Sequence, residues 1–205
     1  PAATLPMTRQ VATSRSFADR YLTNEATATH SHGPGGMHSH GLIDFNTWLD
    51  PRQAATQAQT AYEALVRLLP AETKALEANW QSLKKDLADL DAELAAVRVG
   101  QTPLLASHPV YSYAARRYGW NLQSALWEPN EMPSEEEWQK LAALLTKHPA
   151  KVMIWEDEPP AEVSARLKRM GVTCVVFRPC GNRPPEGDYL TEMRRNAGRL
   201  KAVTP

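Results

Sequence analysis

The spacing of apolar positions changes twice along the chain. Residues 1–50 show no sustained period. Val11–Leu22 suits a short strand and a helical turn, and the stretch His30-Ser-His32-Gly-Pro-Gly-Gly-Met-His38-Ser-His40 reads as a loop by composition. Asp50-Pro51 then opens a helix, with Asp as N-cap and Pro at the first helical position. This helix is expected over 51–69, with Tyr62, Leu65, Val66 and Leu69 on one face, and Pro70 interrupts it. A second helix is expected over 71–98. Its apolar residues Leu76, Trp80, Leu83, Leu87, Leu90, Leu94 and Val97 alternate spacings of 4 and 3, and Gly100 ends it. At 1.5 Å per residue it is about 40 Å long. Such a stripe permits a coiled-coil dimer; packing along the chain's own body is the favoured reading.

After Gly100 the period shortens and short apolar runs alternate with helical patterns. Strands are expected at Thr102–Ser107, Leu122–Trp127, Lys151–Trp155 and Thr173–Phe177, and helices at 109–118, 134–147, 160–170 and 186–202. Ser134 and Glu137 form a capping-box pair, and Gly171 closes the third of these helices. This alternation predicts an α/β fold: a parallel sheet covered by helices in a C-terminal lobe. The domain reading is 1–50 as a partial N-terminal lobe with a His-rich loop, 51–99 as a long helical connector, and 100–205 as the C-terminal lobe.

Composition narrows the function classes. The chain has 205 residues, 42% of them apolar and 22% charged, which is ordinary for a globular protein. Lys+Arg and Asp+Glu both number 23, so broad attraction to nucleic acid or anionic membrane is not expected. No apolar run reaches the roughly 18 residues of a membrane span. The first residues carry neither a basic region nor an apolar stretch, so no signal peptide is expected within the sequence. Cys174 and Cys180 lie six residues apart around a strand end, and no disulfide is expected between them.

Candidate chemistry gathers at strand ends and in the His-rich loop. Ligands of open parallel sheets bind beyond the carboxyl ends of the strands. Here those ends carry His108, Glu128, Glu156 with Asp157, and Arg178. An imidazole and carboxylates meeting in a crevice suit a divalent metal. His30, His32, His38 and His40 form a second candidate set for zinc, nickel or copper. His148, in Lys-His-Pro, reads as a helix C-terminal feature. No nucleophile elbow, phosphate-binding loop, dinucleotide fingerprint or HExxH motif is present, and no enzyme activity is expected.

With these residues in view, the chain resembles the zinc/manganese-type substrate-binding proteins of bacterial ABC transporters. The resemblance rests on the His30–His40 loop, on Phe45-Asn-Thr-Trp-Leu-Asp-Pro51, on the long helix 71–98, and on Ser107-His-Pro-Val-Tyr-Ser-Tyr-Ala-Ala-Arg-Arg-Tyr-Gly119. The tail Gly187-Asp-Tyr-Leu-x-x-Met193-x-x-Asn196 is similar to the family's last helix, and the match spans about residues 10–202. It implies two α/β lobes joined by a rigid helix with the metal between them. It also implies that a further strand–helix portion of the first lobe precedes what this chain shows. His108 matches a family metal ligand, and Glu156 matches a carboxylate near the site. The histidine of the family's Asp-Pro-His segment falls at Asn46, and an acidic ligand falls at Arg178. Cys180 stands beside it as an alternative soft ligand.

The resemblance implies extracytoplasmic capture of a divalent ion, zinc first and manganese second, and delivery to an ABC transporter permease. The setting would be the periplasm or the outer face of the cytoplasmic membrane. The alternative is a relative without cleft metal binding that serves as a scaffold or partner-binding module, with self-association through the helical stripe.

Overall fold

The computed structural model describes residues 6, 9–23, 30–31, 37–38, 43–127 and 131–204. The chain divides into two compact units, Pro1–Asp89 and Leu90–Pro205.

The first unit is largely helical among its described residues. Within Val11–Leu22 the helical turn forms as a 3-10 helix, Arg15–Arg20, around the fully buried Phe17, and the expected short strand does not form. Tyr21 packs edge-on against Phe17 at 5.9 Å and donates from its hydroxyl to Ser14 Oγ at 2.6 Å. β1 (His30–Ser31) and β2 (Met37–His38) pair antiparallel, with His30 opposite His38, so the loop expected from composition carries a short hairpin. A 3-10 turn, Thr47–Leu49, leads into α1 (Pro51–Leu68). The Asp50 side chain accepts from Arg52 N at 2.9 Å, satisfying one of the open first-turn donors. Pro70 breaks the helical run, and a 3-10 turn, Pro70–Glu72, precedes α2 (Thr73–Ala95). Tyr62 stacks on Trp80 at 5.9 Å, and its hydroxyl donates to Glu77.

α2 is shorter than the heptad suggested, because the stripe continues past the helix. Val97 and Val99 are buried in the turn after it. Trp80, Leu87, Leu90, Leu94 and Val97 are buried, while Leu83 stays exposed. The apolar stripe is therefore mostly used within this chain rather than left for a partner helix.

The second unit holds β3 (Pro103–Ala106), β4 (Asn121–Ser124), β5 (Val152–Trp155) and β6 (Thr173–Val176) in one parallel sheet of order β4-β3-β5-β6. Four helices connect or flank the strands: α3 (Ser112–Tyr118), α4 (Glu135–Lys147), α5 (Ala161–Arg169) and α6 (Tyr189–Lys201). All four expected strands form. β4 ends at Ser124, before Trp127, and Leu126 takes a left-handed φ of 61° just beyond it. α3 starts three residues after Pro109, and α6 starts at Tyr189 because Asp188 caps it, accepting from Thr191 N at 2.8 Å. Ser134 and Glu137 form the capping box read from the sequence, and Gly171 at φ 79° follows α5 as expected. Both cysteines are free.

β5 is buried along its whole length, which explains its unbroken Val-Met-Ile-Trp run. Part of the core clusters Trp127, Trp138 and Trp155 with Leu105, Leu141, Met153, Val163 and Leu167. Elsewhere in the unit, Phe177 packs edge-on against Tyr111 at 5.6 Å and Trp120 at 5.9 Å. His148 reaches the start of β3, with Nε2 at 2.8 Å from the Leu104 carbonyl.

Candidate metal-binding cleft

The strand order fixes where a ligand would sit. From β3 the chain moves outward to β4, and from β5 it moves the other way to β6. The divergence leaves a crevice beyond the carboxyl ends of the adjacent strands β3 and β5. His108 follows β3 by two residues, and Glu156 follows β5 directly. Local hydrogen bonds hold both ends. Ser107 N donates to Ile154 O at 2.9 Å, Trp127 N to Ser107 O at 2.6 Å, and Phe177 N to Trp155 O at 2.7 Å. The sheet ladder thus extends to the residues just before His108 and Glu156.

His108 is buried, 8% exposed, and its carbonyl accepts from Val110 N at 3.0 Å in the tight turn before α3. That turn carries the fully buried Tyr111, whose hydroxyl donates to the Phe177 carbonyl at 2.8 Å and ties the β3 and β6 ends together. Burial, and secondarily the negative charge of Glu156, push the Tyr111 hydroxyl well above its ordinary pKa. Tyr111 therefore stays a neutral donor, and the field of Glu156 reaches the turn that bears His108.

The β6 side is built from charge pairs. A cleft of about 340 Å³ there is lined by Glu156, Asp157, Arg178, Cys180, Arg183 and Glu192, among others. Arg178 Nη2 donates to Asp157 Oδ1 at 2.8 Å, and Nη1 lies 3.6 Å from Glu192 Oε1. That hydrogen bond holds the Asp157 carboxyl below its usual range and raises the Arg178 guanidinium. Asn196 clamps the Arg178 backbone: its Oδ1 accepts from Arg178 N at 3.0 Å, and its Nδ2 donates to Arg178 O at 2.8 Å. Glu192, only 2% exposed, also meets Arg199 at 3.0 Å and Arg195 at 3.5 Å. Burial pushes the Cys180 thiol up to about 11, with Glu192 adding and Arg178 opposing. A metal ion would have to displace that proton to bind Cys180, because the thiolate is the ligand.

The structure brings His108, Glu156 and Arg178 to neighbouring strand ends of one sheet. Asn46 belongs to the first unit, where its N and Nδ2 donate to the buried Asp44 Oδ1 at 2.9 and 3.2 Å. His30 and His38 pair across the β1–β2 hairpin; His32, His40 and Glu128 lie outside the described residues. Among the described residues no three His, Cys, Asp or Glu side chains form a metal cage. The imidazole and carboxylates at β3 and β5 are donor types that fit a divalent ion; the guanidinium at β6 is not. Sequence reasoning assigned no role to Tyr111, Glu192, Asn196 or Arg199. Glu192, Asn196 and Arg199 recur at helical spacing on α6 and share that spacing's face with apolar residues, which is the pattern that marks a buried polar stripe.

Comparison with known proteins places this architecture. The family model of the periplasmic zinc-uptake complex component A, ZnuA, matches residues 4–203. The chain belongs to the ZnuA family. A high-affinity zinc uptake system protein ZnuA from Yersinia pestis is 23% identical over 171 residues, covering 80% of this chain and 54% of the relative. The chain thus spans about half the length of that relative. Among solved structures, the Zn(II)-bound ZnuA-like domain of Streptococcus pneumoniae AdcA superposes with a TM-score of 0.70 at 21% identity, covering 88% of this chain and 69% of that one. A mutant of FpvC from Pseudomonas aeruginosa reaches a TM-score of 0.74 at 21% identity, covering 94% and 70%. These likenesses establish the ZnuA-type substrate-binding fold. Among the described residues no helix is long and apolar enough to cross a membrane.

Proposed function

We propose that this ZnuA-family chain is an extracytoplasmic metal-capturing component that binds zinc and hands it to an ABC transporter permease. It would work in the periplasm or anchored to the outer face of the cytoplasmic membrane, and it performs no bond-breaking chemistry. The observation that carries the reading is the placement of His108 and Glu156 at the ends of β3 and β5, where the sheet's connections diverge. Zinc takes imidazole nitrogen and carboxylate oxygen together, at about 2.0–2.2 Å each. Manganese, which favours oxygen donors, is the second candidate.

The His-rich segment is the collecting site in this proposal. His30 and His38 are partners in the backbone register of the hairpin. His32 and His40 continue the same alternation in sequence. Four imidazoles there would raise the local concentration of the ion, which His108 and Glu156 then hold.

Calorimetric titration of the chelator-stripped chain with zinc and with manganese tests this reading. Sub-micromolar zinc binding, tighter than manganese, supports it. A chain that binds neither ion is not a metal carrier.

A further inference from the structure

We propose that Arg178 sets the metal affinity of this cleft: it is a tethered cation that engages a carboxylate a divalent ion would otherwise recruit. The chain would then hold metal more weakly, and release it faster, than the same chain with an uncharged residue at 178. This rests on the metal-capture reading above.

Arg178 is fixed in place rather than swinging in solvent. Asn196 holds its backbone N and O at 3.0 and 2.8 Å. Its guanidinium, with a side chain 28% exposed, contacts Asp157 at 2.8 Å and Glu192 at 3.6 Å. Both carboxylates line the same cleft as Glu156. Without the guanidinium this corner would free Asp157 beside Glu156 for an entering ion, while Glu192 keeps Arg195 and Arg199. With it, Asp157 is already engaged, and Glu192 is shared among Arg178, Arg195 and Arg199. Arginine stays charged at any working pH, so the ion cannot displace it by taking a proton off. A divalent ion must therefore compete with a cation that is already seated.

The test measures zinc affinity with a competing chelator, and zinc release by stopped flow, on the full chain and on Arg178→Gln, Arg178→Met and Arg178→Lys. Melting of each metal-free variant confirms folding, and two uncharged variants guard against one failing to fold. From the Coulomb term at partly exposed sites, the uncharged variants are expected to bind about tenfold more tightly and to release correspondingly slowly. Arg178→Lys keeps the charge and stays within about threefold of the unaltered chain, a contrast that a merely structural role would not produce. Arg178→Gln combined with Asp157→Asn loses most of the gain, because the released carboxylate is gone. Unchanged or weaker binding in the uncharged variants, with His108-dependent binding intact in the unaltered chain, overturns this inference and leaves the metal reading standing. Absence of zinc binding in every form overturns both.

Discussion

The two sides of the sheet's carboxyl edge reach order by different means. On the β3–β5 side, main-chain ladder bonds run up to the candidate ligands, so His108 and Glu156 are positioned by the sheet itself. On the β6 side a side-chain network takes over. Asn196 supplies both backbone partners of Arg178, and the buried Glu192 gathers three partly exposed arginines. The first side offers nitrogen and oxygen donors of the kinds zinc uses. The second is neutralised from within, which is why a cleft with abundant carboxylates need not be a strongly acidic trap.

The largest expected effect comes from breaking the β6 side at Asn196, which is fully buried. Asn196→Ala leaves both backbone groups of Arg178 without their partner and removes an acceptor from Arg199 at 2.8 Å. The expected loss is about 3 kcal/mol of unfolding free energy in a urea titration, given ~1–3 kcal/mol per unmet buried group. A loss below about 1 kcal/mol means the network is not what holds this corner.

A smaller effect sharpens the contrast at the opposite end of β3. His148→Ala leaves the Leu104 carbonyl without its imidazole partner, and a cost of about 1–2 kcal/mol is expected. Zinc affinity should not change, since His148 sits at the amino end of the sheet; an altered affinity would deny that the two ends are separable.

The smallest effect is on pH dependence. The Asp157 carboxyl is lowered by its hydrogen bond from Arg178, so the pair contributes stability above the ordinary aspartate pKa of about 4 and loses it as pH falls through the lowered value. Asp157 is mostly exposed, so solvent screens the pair. The small stability difference between the unaltered chain and Asp157→Asn should therefore be present at pH 7 and shrink as pH falls below the ordinary aspartate value of about 4. A difference that grows on acidification contradicts the pairing.

Much of the second unit was legible because its signals are local. The apolar runs of β3, β5 and β6, the Ser134–Glu137 box and Gly171 each fix structure within a few residues of themselves. Boundaries slipped where tertiary contacts decide. The helix expected from Pro109 waits until Ser112, because the intervening turn sets Tyr111 under Phe177. The heptad stripe outran α2, because Val97 is buried equally well by a turn. At the site, His108, Glu156 and Arg178 were readable as strand ends. The partners of Arg178 were not, because Asn196 and Glu192 approach it from 18 and 14 residues away, across the β6–α6 connection.

In the proposed path the ion is held at the β3–β5 strand ends and only collected at the hairpin. The direct measurement is a zinc titration by calorimetry on the chelator-stripped chain, on His108→Ala, and on the chain with His30, His32, His38 and His40 all replaced by Ala. His108→Ala is expected to lose the tight binding event, while the fourfold variant keeps it and loses only weaker ones. Tight binding that survives His108→Ala and disappears with the four histidines would place the principal site in the hairpin and rule out the strand ends as the holding site.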